Sequence, residues 1–189
     1  MIDLSKAKVI MRVPKNSFKS KLKDVDTITW LYKISPETAD FRHGDEIIEI
    51  QIICVNFKND KLNKRDLVII QKAIPYPILF SVNGKYFFSV EGELFESDKE
   101  FLNGDMLMIE QRSSKLTELY EDIAVSFIPI APKAEESLIE LVARNKRLQA
   151  LEREMATLQR KINAEKQPNK RIELNEKLKR IKLEKEKMR

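Results

Sequence analysis

A chain of 189 residues suits one globular domain with an appendage, and a hydrophobic content of 42% lets it bury a core. Charged residues make up 34%, above the usual quarter, and leave a formal net charge of +5. One cysteine excludes an internal disulfide, one histidine excludes an arguable Ser/His/Asp arrangement, and four glycines leave little room for a phosphate-cradling loop. No apolar stretch near the start is long enough for a signal-peptide core, and nothing approaches a membrane span, so a cytoplasmic protein is expected.

In chain order, Lys8 to Val13 alternates and is closed by Pro14, which predicts a short strand. Asn16 is placed to cap a brief helix through Leu22. Thr27 to Ile34 is β-branched and aromatic, ends at Ser35-Pro36, and predicts a strand with Trp30 in the core. Glu46 to Phe57 is the strongest strand, nearly all apolar toward Cys54, as in a central strand covered on both faces; Cys54 is expected as a buried, inert thiol. Asn63 caps a helix that Pro75 and Pro77 stop. With the next strand, Ile78 to Val82, this makes a crossover unit, right-handed if the two strands are parallel.

Asn83-Gly84 between two apolar runs is the sharpest local signal, a two-residue hairpin turn. It sets Val82 opposite Lys85, Ser81 opposite Tyr86, Phe80 opposite Phe87 and Leu79 opposite Phe88. A third strand follows Gly92, at Glu93 to Glu96, and Ser97 to Gln111 is ambiguous. Ser114 opens a helix whose stripe, Leu116, Leu119, Tyr120, Ile123 and Phe127, should pack on the sheet. The fold class is thus α+β, a mixed sheet with flanking helices over residues 1–128. Residues 129–132, bounded by Pro129 and Pro132, form a linker.

Residues 133–189 read as an antiparallel helical, coiled-coil-like hairpin turning near Gln167-Pro168-Asn169. Apolar residues sit at mirrored distances from Pro168: Ile162 with Leu174, Leu158 with Leu178, Met155 with Ile181 and Leu148 with Met188. The Leu151–Lys185 rung is mixed, and a lysine stem can lie along leucine. Before the proline the seam runs Leu141, Leu148, Leu151, Met155, Leu158, Ile162. Continuing that heptad through position 168 would place Asn169, Glu176 and Lys179 on the seam, so one unbroken helix reads badly, whereas proline fits a first helical turn.

The hairpin also holds the positive charge. Residues 133–189 carry 17 of the 35 Lys+Arg and 10 of the 30 Asp+Glu, a net of +7 that leaves the body at −2. Such asymmetry suggests an anionic partner, nucleic acid or an acidic protein surface, although long exposed helices are rich in lysine and glutamate in any case. The candidate contact residues are Lys170, Arg171, Lys177, Lys179, Arg180 and Lys182. Such side chains neutralise phosphates without reading sequence, and no aromatic residue is interleaved to stack on bases.

Chemistry is harder to place. His43 lies among Asp40, Asp45, Glu46 and Glu49, which is ordinary for a polar loop. A Cys54–His43 pair would need an exposed thiol. Glu49 and Gln51 share one face of a strand, with Asp40 or Asp45 as a second carboxylate. That pattern, with the helix and strand that follow, resembles the magnesium site of a nuclease superfamily with a restriction-enzyme-like core, but its lysine is missing. No catalytic residue, metal or cofactor is therefore expected.

The strings VPKNSFKSKL, WLYKISPET, AIPYPILFSVNGKY and NAEKQPNKRIELNEKLKRIK, in this order, resemble the bacterial domain-of-unknown-function family four-three-nine-one across nearly the whole chain. Members of that family are typically encoded beside helicases and DNA methyltransferases of restriction-modification type. The resemblance implies an accessory role in prokaryotic DNA defence and carries over no catalytic residues. The expected function is a non-catalytic adaptor that engages a larger helicase- or methyltransferase-type assembly through the basic hairpin, with direct, sequence-independent duplex DNA binding by the same face as an open second class. The alternatives are a magnesium-dependent nuclease-like domain with Asp45, Glu49 and Gln51, or a structural homo-oligomer.

Overall fold

The β-branched and aromatic runs become the spine of a six-stranded mixed sheet. In the computed structural model, residues 1–18 and 21–188 are described, and the chain divides into two compact units, Met1–Ile128 and Pro129–Arg189. The strands of the first unit are β1 (Ile2–Asp3), β2 (Lys8–Arg12), β3 (Val25–Ile34), β4 (Ile50–Phe57), β5 (Ile78–Val82), β6 (Lys85–Val90), β7 (Glu93–Ser97), β8 (Leu102–Asn103) and β9 (Met106–Leu107). Its helices are α1 (Lys64–Ala73) and α2 (Leu116–Phe127). The large sheet has the order β2-β3-β4-β5-β6-β7, with β4 and β5 parallel and the other neighbours antiparallel.

The hairpin turn behaves as its residues require. Asn83 and Gly84 both take positive φ, at 48° and 76°, and the register pairs Val82 with Lys85, Ser81 with Tyr86, Phe80 with Phe87 and Leu79 with Phe88. Because neighbouring side chains alternate, Phe87 and Phe88 serve opposite faces. Phe87 joins Phe80, Ile53 and Ile28 under Leu67 and Ile70 of α1. Phe88 meets Tyr120 and Phe127 of α2, with ring centroids 5.5 and 5.8 Å apart. The stripe of α2 thus covers one face of the sheet and α1 the other.

Local chemistry explains the ends of these elements. Asn63 Oδ1 accepts from the Arg65 amide at 3.1 Å and caps α1. Trp30 is part-buried against the α1-side core and donates its indole N–H to the Tyr32 carbonyl at 3.0 Å. Edge strand β2 bulges between Lys8 and Met11, where Ile10 takes φ of 43°, and a bulge spoils an edge for pairing with another sheet.

Four expectations need correction. The strand expected from Glu46 begins at Ile50, because the preceding loop turns its backbone to α2 instead: the Ile47 amide donates to Thr117 Oγ1 at 3.4 Å. The helix expected from Asn16 is a single 3-10 turn, Lys15–Ser17; the part over residues 19 and 20 lies outside the described residues. Cys54 is half-buried rather than buried, and burial pushes its thiol pKa up, so it stays protonated and unreactive. Finally, α2 is not capped by Ser114. Asp45 reaches in from the body loop, its Oδ2 accepting from the Thr117 amide at 2.9 Å and its Oδ1 from Thr117 Oγ1 at 2.6 Å. These bonds hold the Asp45 carboxyl below the usual range.

The ambiguous stretch Ser97 to Gln111 supplies β8 and β9, which join β1 in a small sheet of order β1-β9-β8. Its turn is anchored by Asp105, which accepts from Tyr32 Oη at 2.8 Å and pairs with Lys8 at 3.0 Å. Burial and the hydrogen bond to Asp105 push the Tyr32 phenol up to about 12.

The second unit is an antiparallel hairpin of α3 (Leu138–Ala164) and α4 (Pro168–Met188). Helix α3 starts at Leu138 because Ser137 and Glu140 form a capping box. Pro168 is the first residue of α4, where its missing N–H is no loss. Leu158, Ile162 and Leu178 form a buried cluster with Met155, Leu174 and Ile181 packed against it, the mirrored pairs of the seam. The mixed rung is also resolved: Lys185 has only 18% of its side chain exposed and meets Glu152 Oε1 at 2.7 Å. Arg147 Nε donates to Glu184 at 2.9 Å, a second tie between the helices.

Arg144 closes the base of the hairpin. It grips Glu136 in a fork, Nε to Oε1 at 2.6 Å and Nη2 to Oε2 at 2.7 Å, and also donates to the carbonyls of Ala131 and Met188. The guanidinium holds the Glu136 carboxyl at about 2, from an ordinary value of 4.5. A depressed folded pKa stabilises above the unfolded value and is lost as pH falls through the folded one. The melting-temperature difference between the natural chain and Glu136→Gln is therefore expected to be full at pH 7. It should shrink from about pH 5 downward and vanish near pH 2. Melts across that range check it; a difference that stays constant with pH would show that the fork carries no linked charge.

Candidate functional site

The six cations singled out from the sequence, Lys170, Arg171, Lys177, Lys179, Arg180 and Lys182, are all exposed on α4. None of them forms an ion pair or a side-chain hydrogen bond with a described residue, unlike Arg144, Arg147 and Lys185. Helical geometry of about 100° per residue places them around the helix rather than in one row. Lys170 and Lys177 flank one side of the seam, Arg171 and Lys182 flank the other, and Lys179 and Arg180 turn outward. The arrangement is a positive sleeve over the exposed part of a rigid rod. Such a sleeve attracts an anionic surface without demanding one orientation, as phosphate backbones and acidic protein faces both permit.

Sequence reasoning missed the apolar residues set within that sleeve. Ile172 and Leu183 are 59% and 49% exposed on the outer side of α4. They lie on the continuation of α3's heptad, where Glu176 and Lys179 also fall, and that continuation was the available signal.

The acidic residues of the body do not gather into an ion cage. Asp45 and Glu49 line one cleft of about 370 Å³, together with Lys33, Glu37, Arg42 and His43. Asp40 lines a different cavity beside Gln111. Glu49 is 8% and Gln51 6% exposed, and Gln51 Nε2 donates to Glu49 Oε1 at 2.7 Å. Lys33 Nζ stands 3.2 Å from the other Glu49 oxygen, because β3 and β4 set Lys33 directly opposite Gln51. An amine therefore stands beside Glu49 after all, supplied across the sheet rather than two positions along it.

These side chains do not fit a magnesium ion shared by Asp45 and Glu49. Both oxygens of Asp45 are taken by Thr117, and both of Glu49 by Lys33 and Gln51. No group of three or more His, Cys, Asp or Glu side chains among the described residues is placed to hold a metal. The Lys33–Glu49–Gln51 group ties β3 to the start of β4: Glu49 and Gln51 are buried while the Lys33 side chain is 38% exposed, so removing Lys33 would leave the Glu49 charge buried without its amine.

A family model described as Domain of unknown function (DUF4391) matches residues 4–184. The chain belongs to this family. The match runs through the body and nearly all of the hairpin, so both units are part of what defines a DUF4391 chain. No curated protein and no solved structure matches. No helix among the described residues is long and apolar enough to cross a membrane.

Proposed function

We propose that this DUF4391 protein is a cytoplasmic, non-catalytic accessory subunit of a DNA-acting assembly, and that the sleeve on α4 is its contact surface. The observation that carries the reading is the set of six exposed cations without ion-pair partners among the described residues, set on the flanks and outer side of a helix whose packing runs along its seam with α3. Holding like charges together costs free energy, so their natural complement is an anionic surface. The setting beside helicases and methyltransferases implied by the family resemblance supplies the kind of partner. Long basic side chains on a helix favour a protein groove lined by carboxylates or a duplex backbone over single-strand recognition, which needs stacking platforms.

Purification of the tagged full-length chain from its native cell tests this reading. Recovery of a helicase or methyltransferase subunit supports it. A chain that recovers no such subunit, yet binds duplex DNA with an affinity falling steeply with salt, assigns the sleeve to DNA alone.

A second expectation concerns the body. Incubation of the pure protein with DNA and magnesium or manganese should give no cleavage, since the carboxylates of the cleft are already engaged. Cleavage that disappears in Glu49→Ala and in Lys33→Ala would make the cleft an active site and overturn the non-catalytic reading.

A further inference from the structure

The outer stripe of α4 is Ile172, Glu176, Lys179 and Leu183, spaced by four, three and four residues. That is the heptad spacing of a second seam, on the side of α4 opposite the one packed on α3. The first seam packs on α3 around buried Leu178; this one leaves two large apolar side chains about half exposed. Its order is self-complementary. If a second α4 is laid against it in antiparallel sense, with a two-fold axis passing between residues 177 and 178, Ile172 faces Leu183 of the second copy. Glu176 then faces Lys179, and the symmetry makes each pair twice. On the flank, Glu173 comes beside Arg180 of the second copy. A parallel pairing would instead set Glu176 against Glu176 and Lys179 against Lys179. We infer that the occupant of this stripe is a second copy of the same chain, docked antiparallel through α4 about a two-fold axis.

The reasoning is that of any isologous interface: one patch must match itself after a two-fold rotation. Apolar ends meeting apolar ends with opposite charges between them satisfy that condition, and like-charge contacts enforce the antiparallel sense. The inference does not rest on the anionic-partner reading, although it engages two of the same cations, Lys179 and Arg180. Lys170, Arg171 and Lys177 lie off the stripe and stay available in the dimer. The two interactions also respond to salt in opposite ways. Each α4 has eight lysines and arginines against four glutamates, so two copies repel at low salt. Screening should strengthen self-association while it weakens binding to a polyanion.

Sedimentation equilibrium of the full chain, from about 10 μM to about 1 mM, tests the proposal. The expected result is a monomer–dimer equilibrium that tightens as salt is raised. Leu183→Glu should weaken it by about tenfold or more while circular dichroism stays unchanged. Glu176→Lys and Lys179→Glu should each weaken it, and the two together should restore it, because the exchanged pair reforms across the axis. That rescue distinguishes the stripe from any other face. A chain that remains monomeric throughout, a dimer indifferent to Leu183→Glu, or a double reversal that fails to restore association would each overturn the inference.

Discussion

Glutamate in place of Lys177, Arg180 and Lys182 together is expected to weaken capture of the anionic partner by about a hundredfold or more, with the body unit left folded. A unit-charge contact at about 4 Å contributes on the order of 1 kcal/mol in water, and reversal turns each attraction into a repulsion. Salt at physiological strength screens part of this, leaving about 3 kcal/mol over three positions, which is a factor of about a hundred. None of the three forms an ion pair with an acid among the described residues, so no close contact is broken. The new glutamates do stand four residues from Glu173, Glu176, Glu184 and Glu186. Each such position trades an attraction of a few tenths of a kcal/mol for a repulsion of similar size, so over the four of them the helix should lose about 2–3 kcal/mol. Glutamine at the same three positions separates the effects: it removes attraction without adding repulsion. Binding measured for both variants, with melting curves as the control, checks the result. Undiminished capture by the glutamate variant would remove the α4 sleeve from the interface.

Local chemistry made much of the fold legible in the sequence. Asn83-Gly84 needed nothing beyond its own backbone preferences to fix four rungs of register. Asn63 announced α1, and the residues mirrored about Pro168 announced the hairpin seam, because each signal is complete within a few turns of chain. Long-range choices were not legible. Asp45 looked like a loop carboxylate or a metal ligand, but it caps a helix 72 residues away, and no local pattern points there. Lys33 entered the Glu49 cleft only through the cross-strand register of β3 and β4. Strands of two residues, such as β1 and β9, carry no periodicity at all and exist because Leu107 lies between Ile2 and Leu102. The candidate site was half legible. Composition alone located the cations, but the exposure of Ile172 and Leu183 follows only once it is known which side of α4 the seam uses.

Phe80→Ala is expected to be the most damaging single truncation in the body. Phe80 has no exposed surface. It lies between Ile53 on β4 and Phe87 on β6, in the cluster that α1 covers with Leu67 and Ile70. Removing its ring deletes buried apolar area and leaves a void that these neighbours cannot close, since each is held in register by its own strand ladder. Such truncations cost about 3–5 kcal/mol, a large part of the roughly 5–15 kcal/mol that holds a domain folded. Phe80→Leu keeps most of the volume and should cost appreciably less. The two-residue turn supplies a second comparison, because Gly84 has φ of 76° and open space around it. A valine there meets no neighbour but must adopt a backbone that β-branched residues avoid, so its cost, about 1–3 kcal/mol, is pure strain. Chemical denaturation of the three variants ranks these effects. If Phe80→Ala proved no worse than Phe80→Leu, the sheet would have collapsed around the missing ring. The rigid Phe80–Phe87 rung would then not be what organises the α1 face of the core.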